Sequence, residues 1–428
     1  VLDKRFNKLV IPAPTNAESQ AIEANSNWNF DGPLVRASQG WKLYVSATLN
    51  SFLETLEIVR PIFKQYGVSY KYVSSDKMLR KQNAGLYGYS QVGKLIVAYL
   101  EPDRSIKPLL SQLKQSLDPF RGTAPAVPFA QELGGGLPLF YRYGAFTGEH
   151  ILVNGQSMED DRAECASKII DDLDDPFLPF HEPRQSNTGF DKFLSRFPVY
   201  EVLGQGGKGG VFAAFDTDAP VFSDIILKVG YRNGQVMPDG RDGIDLLERE
   251  CRFFELLEKH GLSNLAPQMQ AYGNFGGRNV IAMSRITGEN LLHLRENGEL
   301  GVRHLESCLE ILDKIHDAGL YLGDAKLANF LRDDEDRVWA IDFECAGKIG
   351  QSGTDFDLLR TFHFQNPTIT NITLFDRIHL LYSVLHQEDK ASFSETDRII
   401  DLSRFLAKFR SKSEVEQWAE AHLRSIIP

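Results

Sequence analysis

Lys228 stands inside an apolar run, Ile225-Ile226-Leu227-Lys228-Val229, where an ammonium is costly unless anions meet it. Nucleotide phosphates and a helix carboxylate would remove that cost. Upstream, Gly204-Gln205-Gly206-Gly207-Lys208-Gly209-Gly210-Val211 fits GxGxxGxV. Gly204, Gly206, Gly209 and Val211 are its nucleotide-contact candidates, because phosphate oxygens need backbone N–H groups at close range. Downstream, Asp324, Lys326 and Asn329 lie close together, and Asp342 follows thirteen residues after Asn329. Phosphoryl transfer asks for a group that orients a hydroxyl nucleophile, cations around the transferred group, and oxygen ligands for a divalent ion. Asp324 suits the first task and Lys326 the second. Asn329 and Asp342 suit magnesium. A glycine loop alone is a weak signal, but the ordered set is a strong one.

These groups require particular elements to hold them. The glycine segment lies between two strands and Lys228 in a third, after which an amphipathic helix carries Glu248, Glu250 and Glu255. Glu250 is the best partner for Lys228, since apolar residues follow it at the expected offset; the other two are fallbacks. Leu305, Leu309, Leu312 and Ile315 form one stripe of a helix closed by Gly319. Asp342 follows the apolar strand Val338-Trp339-Ala340-Ile341. In order and spacing these parts resemble protein kinases, with an N-lobe over about 191–286 and a C-lobe over about 287–428. Leu322-Gly323 stands where protein kinases usually carry His-Arg, Glu344 replaces the glycine of Asp-Phe-Gly, and no Ala-Pro-Glu follows Asp357. The expectation is a constitutively competent kinase using ATP or GTP with Mg2+, without an activation-loop phosphosite.

The first half has a different character. Trp41, Leu43 and Val45 alternate with Lys42, Tyr44 and Ser46, which predicts a strand with its cation on one face. Leu53, Leu56, Val59, Phe63 and Tyr66 predict a helix ended by Gly67, and Ile106 to Leu117 a second one. Val68–Val73 with Lys71, Lys94–Tyr99, and Leu139–Phe146 with Arg142 read as further strands. The fold class expected is α+β, with this half (1–184) joined to the kinase-like half (185–428) by the acidic, Pro-rich stretch from Asp171 to Thr188. Residues 1 to about 40 read as an irregular arm.

The bulk numbers exclude several classes. With 47 Lys+Arg against 58 Asp+Glu, the net charge of −11 speaks against a nucleic-acid partner. No apolar stretch approaches the ~20 residues that span a bilayer. The chain opens at Val1 without a signal segment, so a trimmed native start and a cytoplasmic enzyme are expected. Four scattered cysteines without a CxxC read as reduced core residues, not as a zinc site.

The runs Gly40-Trp41-Lys42-Leu43-Tyr44-Val45-Ser46-Ala47-Thr48, Tyr70-Lys71-Tyr72-Val73, Gly93-Lys94-Leu95-Ile96-Val97 and Tyr141-Arg142-Tyr143-Gly144-Ala145-Phe146 resemble the N-terminal domain of class III/IV lanthipeptide synthetases. That domain is similar to phosphothreonine lyases of bacterial effectors. Gly323-Asp324 and Asp342-Phe343-Glu344 match the kinase that follows it in the family. The resemblance implies a phospholyase-like domain followed by a bilobal kinase-like domain. It further implies phosphorylation of Ser and Thr in a precursor peptide, then elimination of phosphate to dehydroalanine or dehydrobutyrine. By motif, Lys71 would be the base, its pKa lowered by neighbouring cations. Lys42 would stabilise the enolate-like carbonyl, and Lys94 and Arg142 would grip phosphate. The family carries Lys-x-His where this chain has Lys42-Leu43-Tyr44, so Tyr44 takes the place of the general acid. The family's zinc-dependent cyclase has no counterpart in the Cys and His content after Asp357; the expectation is that ring formation comes from a removed region, a partner, or not at all. The arm before Trp41 and the kinase N-lobe are candidates for docking the precursor's leader. Two other readings remain open: a small-molecule kinase, and a kinase joined to a non-catalytic phosphopeptide-binding domain.

Overall fold

A computed structural model describes residues 27–101, 106–147, 149–153, 155–160, 174–182, 188–219, 223–237, 240–275, 277–350, 372–385, 409 and 411–426. Within the first half, strands β1 (Trp28–Asp31), β2 (Gln39–Val45), β3 (Ser69–Val73), β4 (Ile96–Leu100), β5 (Gln131–Glu132) and β6 (Leu139–Ala145) form one antiparallel sheet. Its order is β1-β3-β4-β2-β6-β5. Helices α1 (Phe52–Gln65), α2 (Asp76–Ala84) and α3 (Lys107–Leu117) interrupt the strands. The apolar stripes of α1 (Leu53, Leu56, Val59, Phe63) and α3 (Leu109, Leu110, Leu113) cover one face of the sheet, meeting Leu43, Val45, Tyr70, Tyr72, Ile96 and Tyr141. Burial of such side chains, each contributing about 1.5–3 kcal/mol, fixes which face turns inward. A one-residue slip would exchange the faces. A hairpin of β7 (His150–Val153) and β8 (Gln156–Glu159) follows.

The irregular arm expected up to residue 40 instead contains β1, which pairs with β3 in register from Trp28↔Val73 to Asp31↔Tyr70. Four residues at a sheet edge are too few to show a period, which is why the strand is invisible in the sequence. Residues 1–26 of that arm lie outside the described residues. The strand expected from Lys94 starts only at Ile96, because Gly93 takes φ 73 and Lys94 sits in the turn that precedes β4. Where it is described, the acidic, Pro-rich stretch packs on the first half. Phe177 stacks on Tyr141 at 4.0 Å, Asp175 accepts a hydrogen bond from the Tyr141 hydroxyl, and Glu182 meets Arg121 and Lys114.

In the second half, α4 (Thr188–Arg196) precedes β9 (Val199–Gln205), β10 (Gly209–Asp216), β11 (Ser223–Tyr231), β12 (Met269–Asn274) and β13 (Arg278–Ser284). These five strands form an antiparallel sheet of order β12-β13-β11-β10-β9. Helix α5 (Gly243–Lys259) lies against β11 and β13, and Asp242 and Asp245 cap its start reciprocally. Further on, β14 (Gly288–Asn290), α6 (Leu291–Glu296), α7 (Val302–Asp317), β15 (Leu320–Tyr321), β16 (Phe330–Asp333), β17 (Val338–Ala340), β18 (Gly347–Lys348), α8 (Ile372–Leu385) and α9 (Lys412–Ile426) follow. One core joins α5, α7 and α8 through Phe253, Phe254, Leu305, Leu312, Phe343 and Leu381. The molecule thus mixes α and β structure. Asp357 and most of the tail after it lie outside the described residues, as does Cys165. Cys251, Cys308 and Cys345 are free thiols.

Candidate functional site

Two cavities gather most of the residues singled out by the sequence; Asp324 and Lys326 line neither and sit together in the loop before Asn329. The first, about 500 Å3, lies on the sheet face opposite α1 and α3 and is lined by Lys42, Tyr44, Lys71, Lys94 and Arg142, with Trp28 and Tyr99 among others. Strand register explains the gathering. Lys71 faces Val97, Val97 faces Tyr44, and Tyr44 faces Phe140 across four neighbouring strands. The adjacent row runs Tyr99, Lys42, Arg142. Opposed residues share a face, so four strands present one set of side chains to one cavity.

Within it, the ammonium of Lys71 sits 4.4 Å from the centre of the Trp28 ring and that of Lys94 5.2 Å from the Tyr44 ring. Aromatic faces favour a cation at such range. Tyr44 is buried with Val97, Val127 and Phe140, and burial lifts the neighbouring Tyr99 phenol to about 12, so Tyr99 keeps its proton at neutral pH. Arg142 is buried and carries a partner that the sequence did not announce: Asp160, just beyond β8, accepts from its guanidinium at 2.5 Å. Asp160 also accepts the Ala145 N–H at 3.0 Å. A phosphate gripped by Arg142 must therefore share it with a carboxylate. Glu149 and Glu159 line the same cavity.

The second cavity runs under β9 and β10 in two adjoining parts. One, about 330 Å3, has an apolar lining from Leu203, Val211, Ile226, Met283, Leu331 and Ile341, with Lys228, Glu250, Asn329 and Asp342 at its polar end. The other lies beneath the glycine segment and includes Gly204, Gly206, Gly209 and Val211. Gly204 belongs to β9 and has open space where a Cβ would go, so steric necessity does not require glycine there. Gly209 does require it: a Cβ would stand 1.9 Å from the Val229 carbonyl oxygen.

Lys228 reaches the Glu250 carboxylate at 2.7 and 2.9 Å and Asp342 at 2.7 Å. Among the three helix carboxylates, Glu250 is the one it meets; Glu248 binds Arg252 and Asn279 instead. Burial disfavours the charged lysine, but Asp342, Glu250 and Glu344 outweigh it and hold the ammonium above its ordinary pKa. Burial likewise raises Asp342, yet Lys228 and Lys208 pull its carboxyl well below the usual range. For Glu250 burial wins, and its pKa is raised. Asp342 occupies φ 65, a left-handed backbone that costs a non-glycine residue roughly 1–3 kcal/mol and persists only where the surroundings impose it. Phe343, buried against Phe253 and Phe254, holds that turn.

Asp324 accepts from Lys326 at 2.9 Å and from the Asn329 amide at 3.0 Å. Its loop is tied down by Asp376 of α8, whose carboxylate accepts the N–H groups of Leu322 and Gly323 at 2.8 and 2.7 Å. Lys208, within the glycine segment, reaches Glu344 at 2.5 Å. Sequence reasoning passed over Lys208, although Glu344 in place of glycine is an acid in need of a cation and could have pointed to it. Asp342, Asn329 and Asp324 supply the hard oxygens that a magnesium ion prefers.

Comparison with known proteins bears on the first cavity. Residues 10–180 match the family model described as RamC, N-terminal domain. A curated relative, the "Probable SapB synthase" of Streptomyces coelicolor, is 26% identical over 348 residues, which is 74% of this chain and 36% of that protein. The chain thus spans about a third of the length of that relative. Both likenesses agree with the resemblance carried by the runs around Lys42, Lys71, Lys94 and Arg142. Among the described residues no helix is long and apolar enough to cross a membrane.

Proposed function

We propose that the chain is a bifunctional peptide dehydratase: its second half phosphorylates Ser and Thr of a precursor peptide, and its first half eliminates the phosphate. The observation that carries this reading is the presence, on one chain, of a Lys228–Glu250–Asp342 cluster beside a glycine-rich cavity and a separate cavity lined by Lys42, Lys71, Lys94 and Arg142. On this reading residues 1–184 form the lyase-like unit and 185–428 a bilobal kinase.

In the kinase half, Lys228 and the amides of the glycine segment would hold the phosphates of ATP or GTP, and Asn329 and Asp342 would hold magnesium. The bound ion would neutralise charge on the transferred group. Asp324 accepts the proton of the peptide hydroxyl as the hydroxyl oxygen attacks the terminal phosphorus; the bond from that phosphorus to the bridging oxygen breaks, the nucleoside diphosphate leaves with that oxygen, and Lys326 stabilises the equatorial oxygens. In the lyase half, Lys71 in its neutral form removes the Cα proton. The electron pair forms the Cα=Cβ bond while the Cβ–O bond breaks, and phosphate leaves with the bridging oxygen. Lys42 stabilises charge on the adjacent carbonyl, Lys94 and Arg142 hold the departing phosphate, and Tyr44 donates to the bridging oxygen. Each modified residue ends one water lighter than it began.

The test is mass analysis of a cognate precursor after incubation with the chain, magnesium and nucleotide. One observation favours a second reading, a phosphopeptide-binding first half without elimination: Arg142 is already committed to Asp160. That reading predicts phosphopeptide as the only product, with Lys71→Ala leaving the product unchanged.

A further inference from the structure

Two neighbouring buried amides on α2 face opposite ways. Gln82 donates to the carbonyls of Gln91 at 2.8 Å and Lys94 at 3.5 Å, in the turn that carries Lys94 to the first cavity. Asn83 points toward the second half. With its NH2 group toward the Gly234 carbonyl and its oxygen toward the Val236 N–H, it reaches both at 3.1 Å, the orientation that satisfies both atoms. The helix then stops at Gly85, φ 77, and the Ala84 carbonyl accepts the N–H of Gly207 at 3.1 Å. The last carbonyls of a helix have no intrahelical donor, and here a glycine-loop amide supplies one. The approach is tight: a Cβ on Gly207 would stand 1.8 Å from the Asn83 carbonyl oxygen.

The glycine loop is the part of the second cavity with most to lose on ordering. Glycine forfeits more backbone freedom than any other residue, and a loop that orders only when ligand arrives charges that entropy against binding. Pinning it beforehand removes the penalty. We infer that Asn83, from the first half, is a positioning residue for the nucleotide site, holding the end of α2 against Gly207 so that the loop is shaped before phosphate arrives. The site is then incomplete without residues that lie outside every kinase motif in the chain. This inference rests on reading 204–211 as a nucleotide loop.

The experiment uses the full chain and titrates fluorescent analogues of MgATP and MgGTP, with hydrogen exchange across 204–211 measured in parallel. Asn83→Ala is expected to weaken nucleotide binding by about tenfold and to speed exchange in the loop. Asn233→Gly serves as the control. It removes another hydrogen bond between the halves, to the Gly122 carbonyl at 2.5 Å, and glycine accepts the φ of 53 found there. Its affinity is expected to stay within about twofold of the unaltered chain. Equal losses in the two variants, or none with Asn83→Ala, overturn the inference and leave the nucleotide reading intact. Absence of binding to the unaltered chain overturns both. Should Asn83→Ala fail to fold, the unaltered chain still decides: slow exchange at Gly207 without nucleotide is expected, and exchange as fast as an open loop contradicts the inference.

Discussion

The two cavities are built by opposite strategies. The first is a rigid face: four adjacent strands, β3, β4, β2 and β6, each contribute side chains in register, and Lys42, Lys71 and Arg142 are placed by hydrogen-bonded ladders. The second is assembled from a strand, a helix and three loops, with Lys228, Glu250, Asn329 and Asp342 drawn from more than a hundred residues of chain. Its precision comes from charge pairing: Lys228 with Glu250 and Asp342, Lys208 with Glu344, Lys326 with Asp324. A register-built site should tolerate loss of one cation with the others still in place. A charge-paired site should lose geometry along with the group removed, because the partner is left as a buried charge.

The sharpest way to break this contrast is Asp342→Asn. Phosphorylation should fall by about 10^3-fold or more, since on the proposed reading the change removes a metal ligand and unbalances Lys228. Elimination from a peptide already phosphorylated should be unaffected; loss of both activities would mean that the sites are not separate. Lys71→Ala should lower elimination by about 10^2 to 10^4-fold while phosphopeptide accumulates, read by mass spectrometry of the product. A smaller effect is expected at Tyr44. Replacing it with His should raise elimination by about tenfold below neutral pH, where imidazolium donates a proton more readily than a phenol. No change would exclude the position as the acid.

The smallest expected effect concerns what holds the first region together. Arg121 and Lys114 hold the Glu182 carboxyl at about 2, below the ordinary 4.5. Glu182→Gln should destabilise the chain by about 1 kcal/mol at neutral pH, the solvent exposure of the pair keeping the figure low. Because the folded-state pKa is depressed, the contribution is complete above about 4.5 and is lost as pH falls toward 2. The gap in Tm between Glu182→Gln and the unaltered chain should close over that interval. A gap that widens there would mean the carboxylate is not paired in solution.

The difference between the regions also decides how much could be read from the sequence. Alternation put Lys42 and Tyr44 on one face, and the apolar run around Lys228 marked a strand, since side-chain period is a local property. The strand order β1-β3-β4-β2-β6-β5 is not local, so the rows joining Lys71 to Tyr44 and Lys42 to Arg142 emerge only when the sheet is assembled. Pairings across long separations were equally hidden. Asp160 with Arg142 depends on where a hairpin ends, and Lys208 with Glu344 on a contact spanning 136 positions. Glu250 was legible because helix periodicity sets its face, and the glycine motif because its spacing is itself the signal. The contact of Asn83 with the far half has no sequence signature at all: an asparagine near a helix end is ordinarily a cap.

The central claim is that one chain adds phosphate at one cavity and removes it at another. Time-resolved mass spectrometry of a precursor peptide with the unaltered chain, magnesium and nucleotide tests it most directly. The account predicts a transient phosphopeptide that gives way to a product lighter than the starting peptide by one water per modified residue. Phosphopeptide that accumulates and never loses mass would contradict it.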